Sequence, residues 1–333
     1  MLAAAGPEGR AAPGMSTRGW AEMTEDSALQ FEVITTGLRY PEGPIAMADG
    51  SVLVVEINGG ALTRVRAGGE QEVIAQLGGA PNGAAVGPDG AVYVCNNGGS
   101  MIITQTGDER GVVVRHNPDY VGGSIQRVDL ATGDVSTLYE RCDGRALNSP
   151  NDIVFDREGG FWFTCFGHSD GEVRQLGGIY YALADGSSIR RCRNDQIMAN
   201  GICLSPDQRT LYWGDSILQK LWAVEILGPG EIPPPEGPAA GRPVITMAGL
   251  QWPDGLAVEE SGRVCMATLF NGGVTVVDPG AGTSEHHPVP DPITTNLAFG
   301  AADMRDAWIT GSSTGTLLKC RWPRPGLKLN FNA

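Results

Sequence analysis

Six polar residues recur at the head of six similar segments. The segments read YPEGPIAMADGSVLVVE from Tyr40, APNGAAVGPDGAVYVCN from Ala80, SPNDIVFDREGGFWFTC from Ser149, MANGICLSPDQRTLYWGD from Met198, WPDGLAVEESGRVCMAT from Trp252 and TTNLAFGAADMRDAWITG from Thr294. Their third positions are Glu42, Asn82, Asn151, Asn200, Asp254 and Asn296. All six offer carboxylate or amide oxygen. Asn and Asp are ordinary turn residues, but Glu is a poor turn former, so turn chemistry alone does not account for the set. Hard oxygen donors suit Ca²⁺, which takes about 6–8 oxygens at about 2.3–2.6 Å. Glu42 and Asp254 are the two charged members and would balance one divalent cation. An incompletely filled shell leaves room for water or substrate, which a Lewis-acid catalyst requires. The plainer alternative is a set of axial polar groups hydrogen-bonded to one another.

Such residues can act together only if the architecture converges them. The third positions lie 40, 69, 49, 54 and 42 residues apart, and a four-stranded propeller blade takes about 40–45. The longer intervals carry visible insertions, at 99–123 and in the Pro-rich stretch 228–243. Further strand-like runs lie between the heads. Six repeats of four strands predict an all-β, six-bladed β-propeller whose innermost strands line an axial channel. The run FEVIT (31–35) is expected to close the ring by joining the last blade. Residues 1–29 read as a disordered leader and 30–333 as one propeller domain. The leader lacks the apolar core of about 7–15 residues that marks a secretory signal.

Composition fits this reading. Of 333 residues 48 are glycine and 22 proline, above the usual ~7% and ~5%, which favours many short strands and turns. The formal charge of −14 argues against nucleic acid or an anionic membrane as partner, since either needs a basic face. No apolar run approaches the roughly 18 residues of a spanning helix. Seven cysteines without a C-x-x-C pair read as buried free thiols in a reducing compartment, so a cytoplasmic location is expected. Two G-x-S-x-G matches, 167–171 and 311–315, would place nucleophiles at Ser169 and Ser313. That motif works only in a strand–turn–helix context, and EVRQLGGIYY and TLLKCRW do not continue as helices. The pairs Phe161/Trp162 and Tyr180/Tyr181 read as core.

The heads PEGP, SPNDIVFD, ANGICLSPD and PDGLAV resemble the gluconolactonase/regucalcin (senescence marker protein) family of six-bladed propellers, and more distantly the paraoxonases. The resemblance runs from about Phe31 to Arg321. It implies one divalent cation, usually Ca²⁺ with Zn²⁺, Mn²⁺ or Mg²⁺ as alternatives, held by the matching Glu42, Asn151, Asn200 and Asp254. It also implies hydrolysis of a cyclic ester, with Asp254 as general base. His168 is the alternative base or a substrate contact. Asn82, Asn97 and Asn271 are candidate substrate-binding residues, Asn96 a weaker one, and Asn82 and Asn296 are expected to line the channel. The expected function is thus metal-dependent opening of a small-molecule lactone. Phosphotriester hydrolysis on the same centre and a non-enzymatic binding scaffold are the alternatives. A strictosidine-synthase-like condensation ranks lower, because Glu42 and Asp254 together favour a metal.

Overall fold

The computed structural model describes residues 29–106, 112–235 and 241–332. Apart from Leu29, the leader read at 1–29 lies outside the described residues. Among the described residues the regular structure is all strand, with no helix long and apolar enough to cross a membrane.

Six four-stranded antiparallel sheets form the six blades. Their innermost strands are Pro41–Ala46, Pro81–Val86, Pro150–Phe155, Ala199–Leu204, Trp252–Val258 and Thr294–Gly300, in blades 1 to 6. Each begins at a repeat head, and each contacts the innermost strands of its two neighbours, so the six surround a common axis. The second strands, such as Val52–Glu56 and Gly160–Cys165, are buried throughout and accordingly read as continuous apolar runs. The outermost strands alternate with solvent; Gln71–Gln76 carries mostly exposed residues.

The core is a ring of six apolar clusters, one at each junction between blades. Tyr93 and Ile125 of blade 2 meet Phe161 and Phe163 of blade 3, and Trp162 and Ile179 of blade 3 meet Trp213 and Leu211 of blade 4. The remaining four clusters fill the other junctions in the same way. Phe161, Trp162, Tyr180 and Tyr181 are all buried here, as expected of core residues. Because each blade buries both faces against neighbours, a chain of this length needs no single deep core. The ring closes where Glu32–Thr35 adds as the outer strand of blade 6, placing Val33 opposite Leu318 of Thr316–Arg321. This is the six-bladed β-propeller the repeats predict.

All seven cysteines are free, six of them buried and Cys192 half-buried. Both G-x-S-x-G matches lack the required helix. Ser169 sits in a short hairpin, and Ser313 precedes the strand Thr316–Arg321.

Candidate metal centre

The face on which the innermost strands begin is here called the mouth. At the head of every innermost strand the pairing register slips, between Glu42 and Ile45, Pro81 and Ala84, Pro150 and Ile153, Ala199 and Ile202, Pro253 and Leu256, and Thr294 and Asn296. Such bulges re-aim side chains, and here each coincides with the recurrent oxygen-bearing residue. Packing at the heads is tight enough to demand glycine. A Cβ on Gly255 would fall 2.1 Å from Asn296 Cγ, and one on Gly43, at φ +49°, would fall 2.7 Å from the Asn82 carbonyl oxygen. Tyr40 and Ser149, two residues ahead of Glu42 and Asn151, hold left-handed backbone at φ 58° and 64°. Strain of this kind persists where surrounding structure over-determines it.

All four expected ligands are buried. Glu42 and Asp254 lie close enough for Asp254 to raise the pKa of Glu42. Burial is the larger cause, Asp152 adds to it, and the Gly43 N–H and Asn296 amide oppose it. Burial likewise pushes Asp254 well up, with the Asn200 amide opposing and Asp152 adding. Tyr40 is raised first by burial and then by the charges of Asp254, Glu42 and Asp291.

Hydrogen bonds hold these groups in place. Glu42 Oε2 accepts from Gly43 N (3.0 Å) and Asn296 Nδ2 (3.2 Å). Asn200 Nδ2 donates to Ser216 Oγ (3.1 Å), and Ser216 donates to the Pro253 carbonyl (2.7 Å), tying blade 4 to the head of blade 5. Asn151 Oδ1 is buried and, among the described residues, accepts no hydrogen bond. A buried amide oxygen without a donor is costly unless something electropositive faces it. Two buried carboxyls, both pushed toward protonation, and an orphaned amide oxygen at the head of a third innermost strand fit a divalent cation. Among the described residues no three His, Cys, Asp or Glu side chains gather in a metal-holding group; this donor set contains only two such residues and relies on amides.

Asp152 is a site residue that the sequence reading passed over. It follows Asn151 at the position held by glycine in four of the other heads. That substitution, P-N-D for P-N-G, was the available signal. The residue is buried, and its pKa is pushed up to about 7 by burial, tempered by the backbone N–H groups of Ile153, Ile202 and Leu256. Asp152 and Asn296 also line a cavity of about 710 Å³ that fills the channel on the side away from the mouth. The walls include Ile45, Ile202 and Phe299, and Leu327 and Asn330 lie at its far end. None of Glu42, Asn151, Asn200 and Asp254 lines it. This cavity therefore lies behind the ring of strand heads, which carry the buried carboxyls Glu42 and Asp254.

The other sequence candidates divide. Asn82 lies buried on the innermost strand of blade 2, and Asn296 braces Glu42. Asn97 is buried and spends its Oδ1 on the N–H groups of Gly99 and Ser100, shaping the start of the insertion. One candidate is corrected. Asn96 accepts from Ala80 N and Gly98 N and donates to the Gly78 carbonyl and Gln126 Oε1, so its amide is fully used in structure. Asn271 is exposed, its Nδ2 donating to Gln251 Oε1 (3.2 Å) and lying 3.4 Å from Nδ1 of His286 on the outermost strand of blade 5. His168 lies in the hairpin His168–Ser169/Arg174–Gln175 and packs against Tyr120, with ring centroids 4.5 Å apart and planes tilted by 32°. Its pKa is lowered, first by burial and then by His116; neither Glu42 nor Asp254 is shifted by it.

The sequence profile of the SMP-30/gluconolactonase/LRE-like region matches residues 40–313. The chain belongs to this family. Within it, the chain is 26% identical over 255 residues to lactonase drp35 of Staphylococcus saprophyticus, covering 74% of this chain and 68% of that protein. It is 26% identical over 219 residues to the gluconolactonase of Zymomonas mobilis, covering 57% of this chain and about half, 53%, of that one. Among solved structures, the calcium-binding protein regucalcin of Agrobacterium tumefaciens shares the fold with a TM-score of 0.65 at 19% identity, over 89% of this chain and 99% of that one.

Within this family member, Ser216 holds Asn200 without being an expected ligand itself. On the reading of Asn200 as a cation ligand, Ser216→Ala is expected to weaken calcium affinity by about tenfold, the lower end of what removing an orienting partner costs. Isothermal titration would check this; unchanged affinity would show that Asn200 needs no such support.

Proposed function

We propose that this chain is a divalent-cation-dependent lactonase. The observation that carries the reading is the buried convergence of Glu42 and Asp254, together with the orphaned Asn151 Oδ1. The family membership and the lactonase and gluconolactonase names of its relatives support the same reaction class. Glu42, Asn151, Asn200 and Asp254 would hold the cation, with Ca²⁺ favoured by an all-oxygen donor set that includes neutral amides. When bound, it would supply Lewis-acid polarisation of the ester carbonyl and of water.

The chain's own groups supply the rest. Asn296 and the Gly43 N–H fix the Glu42 carboxylate, and Ser216 fixes Asn200, so the donors need not reorganise during reaction. Asp254 is the proposed general base, taking a proton as water adds to the acyl carbon. The proton then passes to the ring oxygen as the acyl C–O bond breaks, leaving a hydroxy acid. With the cation bound, the Asp254 carboxyl would stay deprotonated and ready to accept the proton, and the lowered pKa of the attacking water would let a weaker base suffice. His168, in the short hairpin after the second strand of blade 3 and packed against Tyr120, is the proposed substrate contact.

A pH-stat screen of γ- and δ-lactones together with a phosphotriester, with and without chelator, tests this reading. Acid release from lactones that stops on chelation is expected. Turnover of the phosphotriester alone would install the rival hydrolase, and turnover untouched by chelator would remove the cation from the account.

A further inference from the structure

The insertion after the second repeat forms a hairpin, Met101–Gln105 paired with Val112–His116, on the mouth face of blade 2. Its far anchor is Gln105, whose Nε2 donates to the Ser312 carbonyl (2.8 Å) and the Leu38 carbonyl (3.4 Å) at the blade 6 and blade 1 side. Along the first strand Met101, Ile103 and Gln105 are half-buried while Ile102 and Thr104 are exposed, so one face of the hairpin turns inward. Ile103 and Val112 pack against a cluster of Tyr40, Ile57, Ala80 and Ile293, together with Leu269. This cluster belongs to none of the six junctions between blades. It gathers the mouth ends of blades 1, 2, 5 and 6, and Tyr40 stands two residues ahead of Glu42 at the head of the blade 1 innermost strand.

Beside the Tyr40 hydroxyl and the Gln105 amide, which is spent on backbone carbonyls, the side chains that the hairpin and this cluster bring together are hydrocarbon. A polyhydroxylated ring placed against them would lose water from several hydroxyls without regaining partners, which is unfavourable. An alkyl or aryl substituent would gain by leaving water. The approach to the mouth is apolar too: Val113 and Val114 on the hairpin, and Val121, Leu250 and Phe270 on neighbouring loops, are exposed. We propose that the hairpin is the specificity element of the site, and that Ile103 and Val112 select lactones bearing an alkyl or aryl substituent over sugar lactones. This rests on the lactonase reading.

The test compares the wild type, Ile103→Ser/Val112→Ser and Gln105→Ala against a γ-alkyl lactone and glucono-δ-lactone. Thermal protection by the corresponding γ-alkyl lactam, which is not hydrolysed, is measured in parallel. In the wild type, kcat/KM should favour the alkyl lactone by at least about tenfold, the scale on which a few methylenes discriminate. The double variant should lose about that factor on the alkyl lactone alone and lose protection by the lactam. Gln105→Ala, which frees the far anchor and leaves the apolar surface intact, should lower the same selectivity and guards against a double variant that fails to fold. A wild-type preference for the sugar lactone, or equal losses on both substrates, would overturn the inference. Lactam protection with no lactone turned over would sink the lactonase reading and leave the apolar hairpin surface standing. Turnover of the sugar lactone without lactam protection would do the reverse, and the absence of both would sink both.

Discussion

Chelation of divalent cations is expected to lower the melting temperature of this protein by about 5 °C, and calcium in excess to restore it. In the cation-free chain Glu42 and Asp254 are buried together and each is pushed toward its protonated form, while Asn151 Oδ1 has no donor. A ligand at about 100 times its dissociation constant adds about 2.7 kcal/mol to stability, and each kcal/mol moves the midpoint of a domain this large by about 2 °C. The pH sense follows from the raised carboxyl values. Protonated carboxyls stabilise the chelated protein fully only below their unfolded pKa of about 4, and that contribution is lost as pH rises through the raised folded values. Cation binding needs the deprotonated forms, so the gap between calcium-loaded and chelated protein should widen from pH 5.5 to 8. Melting curves at the two pH values, with calcium and with chelator, check this. A gap that is absent, or that narrows with rising pH, would mean the two carboxyls do not face a cation.

Asp254→Asn is expected to reduce lactone turnover by about 10³-fold even when calcium is saturating, a loss within the usual range for a general base. Glu42→Gln is the informative companion. Both changes remove one negative charge from the same buried pair, so both should weaken calcium binding. Only Asp254 is assigned the proton transfer, so excess calcium should recover much of the activity of Glu42→Gln and little of that of Asp254→Asn. Initial rates across a calcium titration separate the two effects. Equal recovery would assign Asp254 to charge balance alone, and full activity of Asp254→Asn would remove it from the mechanism.

The heads of the six repeats were legible because their chemistry is local. A turn, a small residue and an apolar run can be recognised in each segment, and the oxygen-bearing third position stands out once they are aligned. The closing strand was legible for a related reason: Glu32–Thr35 is a β-rich run with no partner among its sequence neighbours, and it finds one in Thr316–Arg321. The hairpin over the mouth was not legible. Its seat depends on Gln105 meeting Ser312, 207 residues away in sequence, and on Ile103 and Val112 meeting mouth ends from four blades. The use of Asn96 and Asn271 was not legible, because a position just past a strand end does not say which way an amide points. Asn96 is captured by Gly78 and Gln126, and Asn271 by the outer strand. Asp152 was hidden in a segment that reads equally well as a turn, and only its burial beside Asn151 gives it weight.

X-ray diffraction from crystals grown with calcium tests the central claim most directly. The account predicts one strong peak at the mouth end of the channel, with oxygens of Glu42, Asn151, Asn200 and Asp254 at about 2.3–2.6 Å and open positions toward the hairpin. No peak there, with Asn151 Oδ1 still without a partner, or a cation bound only elsewhere, would contradict it.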